Sequence, residues 1–201
     1  MSMHIDGKKI TAMYWAGQKI REAWYEGQRV FSGKPVEVMP ATPNWYDAQD
    51  WLRGRLTEYG ESYQTVKEIP FEIDTGESSN LDSMFRGCSS LTTVPDMDTG
   101  QVTNMLSMFD GCSSLTTAPV IDTSQATDMR SMFRGCSSLT TVPDMDTSQA
   151  TDMNDMFRNC SSLTDGNVRL IGKHTGVNTV RMIQGSGLTR EPFYDINGQP
   201  I

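Results

Sequence analysis

Met132-Phe133-Arg134-Gly135-Cys136-Ser137-Ser138-Leu139 decides how this chain is read, because near-copies of it begin at Met84, Met108 and Met156. The cysteines Cys88, Cys112, Cys136 and Cys160 stand 24 residues apart. A fixed period of that length signals stacked repeats. Each unit is too small to bury its own apolar face and is stable only against its neighbours. Three copies carry arginine where Met108-Phe109 is followed by Asp110, and the last has Asn159 where the others have glycine.

Working outward from the octapeptide, each unit runs Leu-Thr-Thr-Val-Pro, then Asp-Met-Asp-Thr, a polar turn, and Thr-Asp-Met-x-x-Met-Phe-x-Gly-Cys. Leu115 and Ala118 are expected to bracket a short strand ended by Pro119, since proline cannot donate to a ladder. Asp122-Thr123-Ser124 reads as a turn whose side-chain oxygens bond nearby backbone N–H groups. Thr127 would cap one helical turn holding Met129, Met132 and Phe133. Gly135 would close it in left-handed geometry, with Asn159 as the usual substitute. The leucine, valine, methionines, phenylalanine and cysteine face inward, worth ~2 kcal/mol each on burial.

The cysteine spacing also limits their chemistry. A zinc site uses close cysteine pairs or nearby histidines. Equivalent residues of stacked layers lie about 4.8 Å apart, whereas a disulfide holds its Cβ atoms at about 3.5–4.5 Å. A ladder of buried thiols acting as small hydrophobes fits best; a disulfide and a metal are the alternatives.

The flanks differ in composition. The 201-residue chain carries a net charge of −8. Residues 1–34 are net +3, and residues 80–165, with eleven aspartates and four arginines, are net −7. An acidic repeat region does not suit nucleic acid, which needs Lys and Arg to displace counterions. Residues 6–31 hold a shorter repeat of period 10, with Gly7, Gly17 and Gly27 at turns and Ile10, Tyr14, Trp15, Ile20, Trp24, Tyr25, Val30 and Phe31 between them. It reads as a small antiparallel β-meander, marginal alone. Tyr14, Trp15, Trp24 and Tyr25 are therefore the candidate attachment residues, and oligomerisation through them is a further expectation.

The domain reading is as follows. Residues 1–35 form the meander and 36–41 a linker. Residues 42–60 form an amphipathic helix, opened by Thr42-Pro43, ended by Gly60 and covering the first layer. Residues 61–165 form the repeat solenoid. Residues 166–201 are a degenerate repeat and C-terminal cap whose Asn197-Gly198 turn folds back as a hairpin. The fold class is thus α/β: a short leucine-rich-repeat solenoid of parallel strands plus helical turns, preceded by the meander and the capping helix. Met1 to Gly7 show no basic and apolar signal, no apolar run is long enough to span a membrane, and no lipid-anchor motif stands at either end. The expectation is cytoplasmic synthesis without membrane insertion.

At these residues the repeat resembles the bacterial BspA-like leucine-rich repeats of surface proteins. Their unit reads Met-x-x-Met-Phe-x-Gly-Cys-x-x-Leu-x-x-x-Pro and then Asp-Thr-Ser-x-Val-Thr. The match covers residues 68–165 and extends weakly to 190; Ala126 and Ala150 depart from the usual valine, which Val102 keeps. The resemblance implies parallel strands on one face, helical turns on the other, and a role in adhesion. Residues 5–31 more weakly resemble N-terminal modules of phage tail and minor virion proteins. That likeness implies a virion component, assembled in the host cytoplasm and released by lysis. The alternative is a bacterial cell-surface adhesin or interaction module lacking its export segment.

The outward residues define the candidate sites. The pairs Thr92/Thr93, Thr116/Thr117 and Thr140/Thr141, with Asp96 and Asp144 nearby, form a polar face suited to a host protein or glycan; the bland alternative is solvated β-formers. The ladder Asp74, Asp98, Asp122, Asp146 admits calcium or, more simply, aspartates bonding their own turns. Arg86, Asp110, Arg134 and Arg158 vary within a constant frame, as exposed solubilising charges do. His4 and His174 lie in different regions without a catalytic partner, and no phosphate loop or His-Glu-x-x-His occurs. The expectation is a non-enzymatic protein with no catalytic residue, cofactor or metal, binding other virion proteins through its N-terminal module.

Overall fold

A 24-residue unit that turns two methionines, a phenylalanine, a cysteine and a leucine inward must also satisfy the backbone polar groups beside them. This chain does so between units. In the computed structural model, which describes residues 47–75, 78–172, 174–195, 197 and 199–201 and the backbone of seven strands between residues 3 and 38, equivalent segments lie in successive layers. The N–H groups of Met105, Ser107, Phe109 and Gly111 donate to the carbonyls of Asp128, Arg130, Met132 and Arg134 at 2.7–2.9 Å. Met129, Ser131, Phe133 and Gly135 repeat the pattern onto Asp152, Asn154, Met156 and Arg158.

The intervening N–H groups turn back within the layer: Met132 to Met129, Arg134 to Ser131, Cys136 to Phe133. The helical turn expected over Met129–Phe133 is therefore a chain of tight turns. The reason lies in Ser131, with φ of 55°, and Gly135, with φ of 73°. A left-handed residue every fourth position stops a right-handed helix from propagating. Ser83, Ser107 and Asp155 repeat this conformation.

These layers stack one core. Phe85, Phe109, Phe133 and Phe157 lie face to face with centroids 5.3, 5.3 and 5.7 Å apart and rings within 9° of parallel. Met84, Met108, Met132, Met156 and the four cysteines are fully buried beside them. A further layer follows after two extra residues: Arg181, with φ of 56°, takes the left-handed place of Asp155. Met153, Asp155, Phe157 and Asn159 donate to Asn178, Val180, Met182 and Gln184.

Named strands occur at the ends. Strands β1 (Met3–Ile5) and β2 (Lys8–Ile10) pair antiparallel, as do β3 (Tyr14–Trp15) with β4 (Gln18–Lys19) and β5 (Ala23–Tyr25) with β6 (Gln28–Phe31). The expected meander is thus three separate hairpins among the described residues, because pairing occurs across each turn and not between hairpins. The turn glycines lie outside the described residues. The supposed linker contains strand β7 (Val36–Val38), which pairs antiparallel with β4 and parallel with β8 (Glu72–Asp74). Two valines around a glutamate suit such pairing. At the other end β9 (Met145–Asp146), β10 (Leu170–Ile171) and β11 (Phe193–Tyr194) form a three-stranded parallel sheet. The strand expected before Pro119 is instead a single bridge, Thr117 to Thr141. The chain then folds back, with Tyr194 bridging Pro200 antiparallel.

Helix α1 (Asp47–Glu58) buries Ala48, Leu52 and Leu56. Residues 42–46, including the expected cap at Thr42-Pro43, lie outside the described residues. Trp51 and Tyr59 pack on Phe71, with ring centroids 6.3 and 5.0 Å away. Gly60, with φ of 75°, ends the helix as the Glu61 N–H returns to Leu56. Gln49 Nε2 and the Tyr63 hydroxyl reach the carbonyls of Arg86 and Met84.

The phenylalanine stack makes the fold sensitive at its centre. Phe109→Ala removes a ring stacked on both sides and is expected to cost about 3–5 kcal/mol. That lowers the thermal midpoint by about 10 °C, read by circular dichroism. A cost below about 1 kcal/mol would show that the stack is not the core.

Candidate recognition faces

The interior ladders decide which side chains remain for function. Each cysteine thiol but the first donates to the carbonyl of the preceding layer's phenylalanine: Cys112 to Phe85, Cys136 to Phe109 and Cys160 to Phe133, at 3.0–3.1 Å. All four are unbridged and buried. Burial pushes the Cys88 and Cys160 thiols up to about 12 and raises Cys112 and Cys136 further. Desolvation also raises Tyr63, whose hydroxyl sits beside Cys88 at the start of the ladder.

A threonine ladder also links the layers. Thr75, Thr99, Thr123 and Thr147 are 0–2 % exposed. The Thr99 and Thr123 hydroxyls donate to the carbonyls of Asp122 and Asp146 at 2.9 and 2.7 Å, and Thr75 donates to that of Asp98. The carboxylates of the aspartate ladder turn onto their own chain: Asp98, Asp122 and Asp146 accept the N–H of Gly100, Ser124 and Ser148. That bond holds the Asp122 carboxyl below its ordinary range. Among the described residues, no cluster of three or more His, Cys, Asp and Glu could hold a metal ion.

A second ladder was not legible in the motif. Asn80, Asn104, Asp128, Asp152 and Asn178 stand in successive parallel bridges, each accepting the N–H two residues on through its side-chain oxygen. The place of Asn104, Asp128 and Asp152 immediately before Met105, Met129 and Met153 was the available signal.

The expected threonine face is exposed throughout, at Thr92, Thr93, Thr116, Thr117, Thr140 and Thr141. Not all of its hydroxyls point away: Thr92 and Thr140 donate to the carbonyls of Lys67 and Thr116, at 2.9 and 3.0 Å. Beside it, Asp96 is exposed, Val120 is 78 % exposed at the equivalent place, and Asp144 pairs with Arg169 at 3.0 Å. The Arg169 guanidinium also lies 4.9 Å over the Tyr194 ring. Tyr14, Trp15, Trp24 and Tyr25 stand in β3 and β5; their side chains lie outside the described residues.

The charges following Met-Phe are not all solubilising. Asp110 is 7 % exposed and lies between Arg86 at 3.3 Å and Arg134, which holds it bidentately at 2.9 and 2.6 Å. Its sign alternates with its neighbours because the stack puts position 110 directly between positions 86 and 134. That pairing raises the Arg134 guanidinium above its ordinary range. The next layers differ, with Asp155 paired to Arg158 and Arg181.

A hollow of about 390 Å³ opens beside Arg86. Asp82, Arg86, Asn104, Leu106, Asp128 and Arg130 line it.

Against known proteins, the family described as "Mycoplasma protein of unknown function, DUF285" matches residues 63–186. That span includes the cysteine repeats and the degenerate layer after them. No curated protein and no solved structure matches.

The thiol ladder predicts slow alkylation of all four cysteines in the folded protein and fast alkylation after denaturation. Rapid native labelling, followed by intact-mass spectrometry, would contradict it. His174 supplies a pH signature. Its Nε2 pairs with the Thr147 hydroxyl at 2.7 Å, its ring stacks on Phe193 at 3.9 Å, and its buried Nδ1 has no hydrogen-bond partner. Desolvation lowers its pKa, so the unfolded chain binds the proton more readily. Stability is full above the unfolded value near ~6.5 and falls as pH drops through the lower folded value. His174→Gln should flatten that part of the urea-unfolding profile; an unchanged slope would refute the assignment.

Proposed function

Since this chain belongs to the family described as "Mycoplasma protein of unknown function, DUF285", whose description assigns no activity, we propose its role from its surfaces. It is a non-enzymatic recognition protein. Its layers constitute a leucine-rich-repeat solenoid of the BspA-like kind, and its exposed threonine and aspartate face contacts a protein or glycan of a host surface. The N-terminal hairpins attach it to other proteins of a phage tail tip and provide the contacts for oligomerisation.

The observation that carries this reading is the division of labour within each unit. The cysteines, the buried threonines and the ladder aspartates are occupied by the backbone. The repeated row Thr93, Thr117, Thr141 stays exposed on a frame whose spacing the core fixes. A rigid, evenly spaced polar face needs little ordering on binding. The charge of −7 over residues 80–165 favours protein or saccharide over nucleic acid. The decapeptide resemblance of residues 5–31 supports the virion setting. The family match and the BspA-like motif favour a second setting, the surface of a bacterial cell, with the same face as the adhesive one.

Two measurements test this. The full-length protein should bind host cells by flow cytometry, and the triple variant Thr93→Glu, Thr117→Glu, Thr141→Glu should bind about tenfold more weakly, a loss of ~1.4 kcal/mol; equal binding removes the face from the proposal. Antibody should detect the protein in gradient-purified phage particles. Its recovery in a cell-envelope fraction free of particles would decide for the adhesin.

A further inference from the structure

Compared unit by unit, the repeats keep most positions constant and change the chemistry of a few. The position after the inward leucine or methionine reads Asp82, Leu106, Arg130 and Asn154. No other outward position of the repeat changes so completely. The parallel bridges joining Asn80, Asn104, Asp128 and Asp152 set these residues in register, two places further along each layer. The constant positions are accounted for by packing and by the ladders. A frame that repeats itself does not require an acid in one layer, a leucine in the next and a guanidinium in the third. Those three line one hollow, of about 390 Å³.

We propose that this hollow, bounded by Asp82, Leu106 and the Asp128–Arg130 pair, is a binding site for a neutral saccharide unit. It is separate from the threonine face and does not depend on that face binding anything. Charge comes first. Arg130 is chelated by Asp128 through contacts of 2.6–3.1 Å. Arg86 is drawn toward Asp110 at 3.3 Å. Arg86 shares that carboxylate with Arg134, but the lining as a whole sets Asp82 and Asp128 against Arg86 and Arg130 and so offers no net field to hold a phosphate or sulfate. Asp128 is in turn neutralised by Arg130, whereas Asp82 is 5 % exposed and accepts the Ser83 hydroxyl at 2.7 Å. Desolvation raises the Asp82 carboxyl above its ordinary range.

Hydrogen-bonding capacity comes second. A sugar hydroxyl both donates and accepts, so vicinal hydroxyls are matched by fixed acceptors standing beside fixed donors. The hollow has carboxylate and amide oxygens of Asp82, Asp128 and Asn104 next to the guanidiniums of Arg86 and Arg130. Between them the half-buried Leu106 gives an apolar patch for the C–H face of a pyranose ring. The volume lies near the lower end of ligand sites, about 300–1,000 Å³, and suits one or two rings. The layer-to-layer backbone bonds at Met105 and Ser107 hold these groups before any ligand arrives.

The test titrates the full-length protein with lactose, maltose and cellobiose, and in parallel with inorganic phosphate, using saturation-transfer difference NMR and calorimetry. At least one disaccharide should bind with a Kd of about 0.1–1 mM, in the range a small open site supports. Leu106→Ala and Arg130→Ala should each weaken it about tenfold, Leu106→Met should retain it, and Thr117→Glu should leave it unchanged. Matched thermal unfolding of all variants separates a lost site from a lost fold. Absence of saturable binding by all three disaccharides overturns the proposal, as does binding that survives both Leu106→Ala and Arg130→Ala. Tighter binding of phosphate than of any sugar does the same. None of these outcomes bears on the cell-binding test of the threonine face.

Discussion

The structure depends on backbone hydrogen bonds that leave one layer and end in the next. A single unit cannot make them, because the carbonyls that receive the N–H groups of Met105, Ser107, Phe109 and Gly111 belong to the following unit. Conformational entropy costs about 1–2 kcal/mol per ordered residue, and one layer's side chains do not offset it. Adding a neighbour satisfies the polar groups, stacks the phenylalanine and closes the methionines from water in one event. The ends are treated differently from the middle for the same reason. Strands β7 and β8 begin the stack and β9 to β11 finish it. Helix α1 lays its leucines at the first end.

Side chains extend this principle where the backbone lacks a donor. Pro95, Pro119 and Pro143 carry no N–H, and just beyond them the hydroxyls of Thr99 and Thr123 reach across to the next layer's carbonyls. The cysteine thiols do the same toward the phenylalanine carbonyls. A thiol suits this place because it is small, apolar in bulk and still a weak donor. These groups therefore have structural work, and reactivity is suppressed by the burial that raises their thiol pKa values. The aspartates of the turns are likewise spent on N–H groups two residues ahead.

The outward side chains are divided into two regions of different character. The threonine face is uniform, as the sequence repeats it without change of chemistry. The turn face carries the variation: Asp82, Leu106 and Arg130 in one column, and Arg86, Asp110 and Arg134 in another. Uniform spacing suits an extended partner, whereas a local mixture of acid, base and leucine suits a compact one. The ion pairs of the turn face do more for orientation than for stability, since half-exposed pairs contribute little. Asp110 is the exception, held bidentately below the surface.

The 24-residue period, the inward methionines, phenylalanines and cysteines, and the left-handed glycine at Gly135 could all be read from the chain, because identical units must present identical faces to one another. The helix ended by Gly60 was likewise marked in the chain. The sequence did not disclose that Ser131 would be left-handed, and with it that the helical turn would become a series of tight turns. Its preference there is weak, and the next layer's carbonyls decide it. Nor could it show Val36–Val38 joining the repeat sheet through Glu72–Asp74, a pairing between segments far apart in the chain. The burial of Asp110 and the gathering of Asp82, Leu106 and Arg130 at one hollow belong to the same class. Periodicity fixes which residues face inward. Only contact between layers fixes which outward charges meet, because that depends on register along the stack.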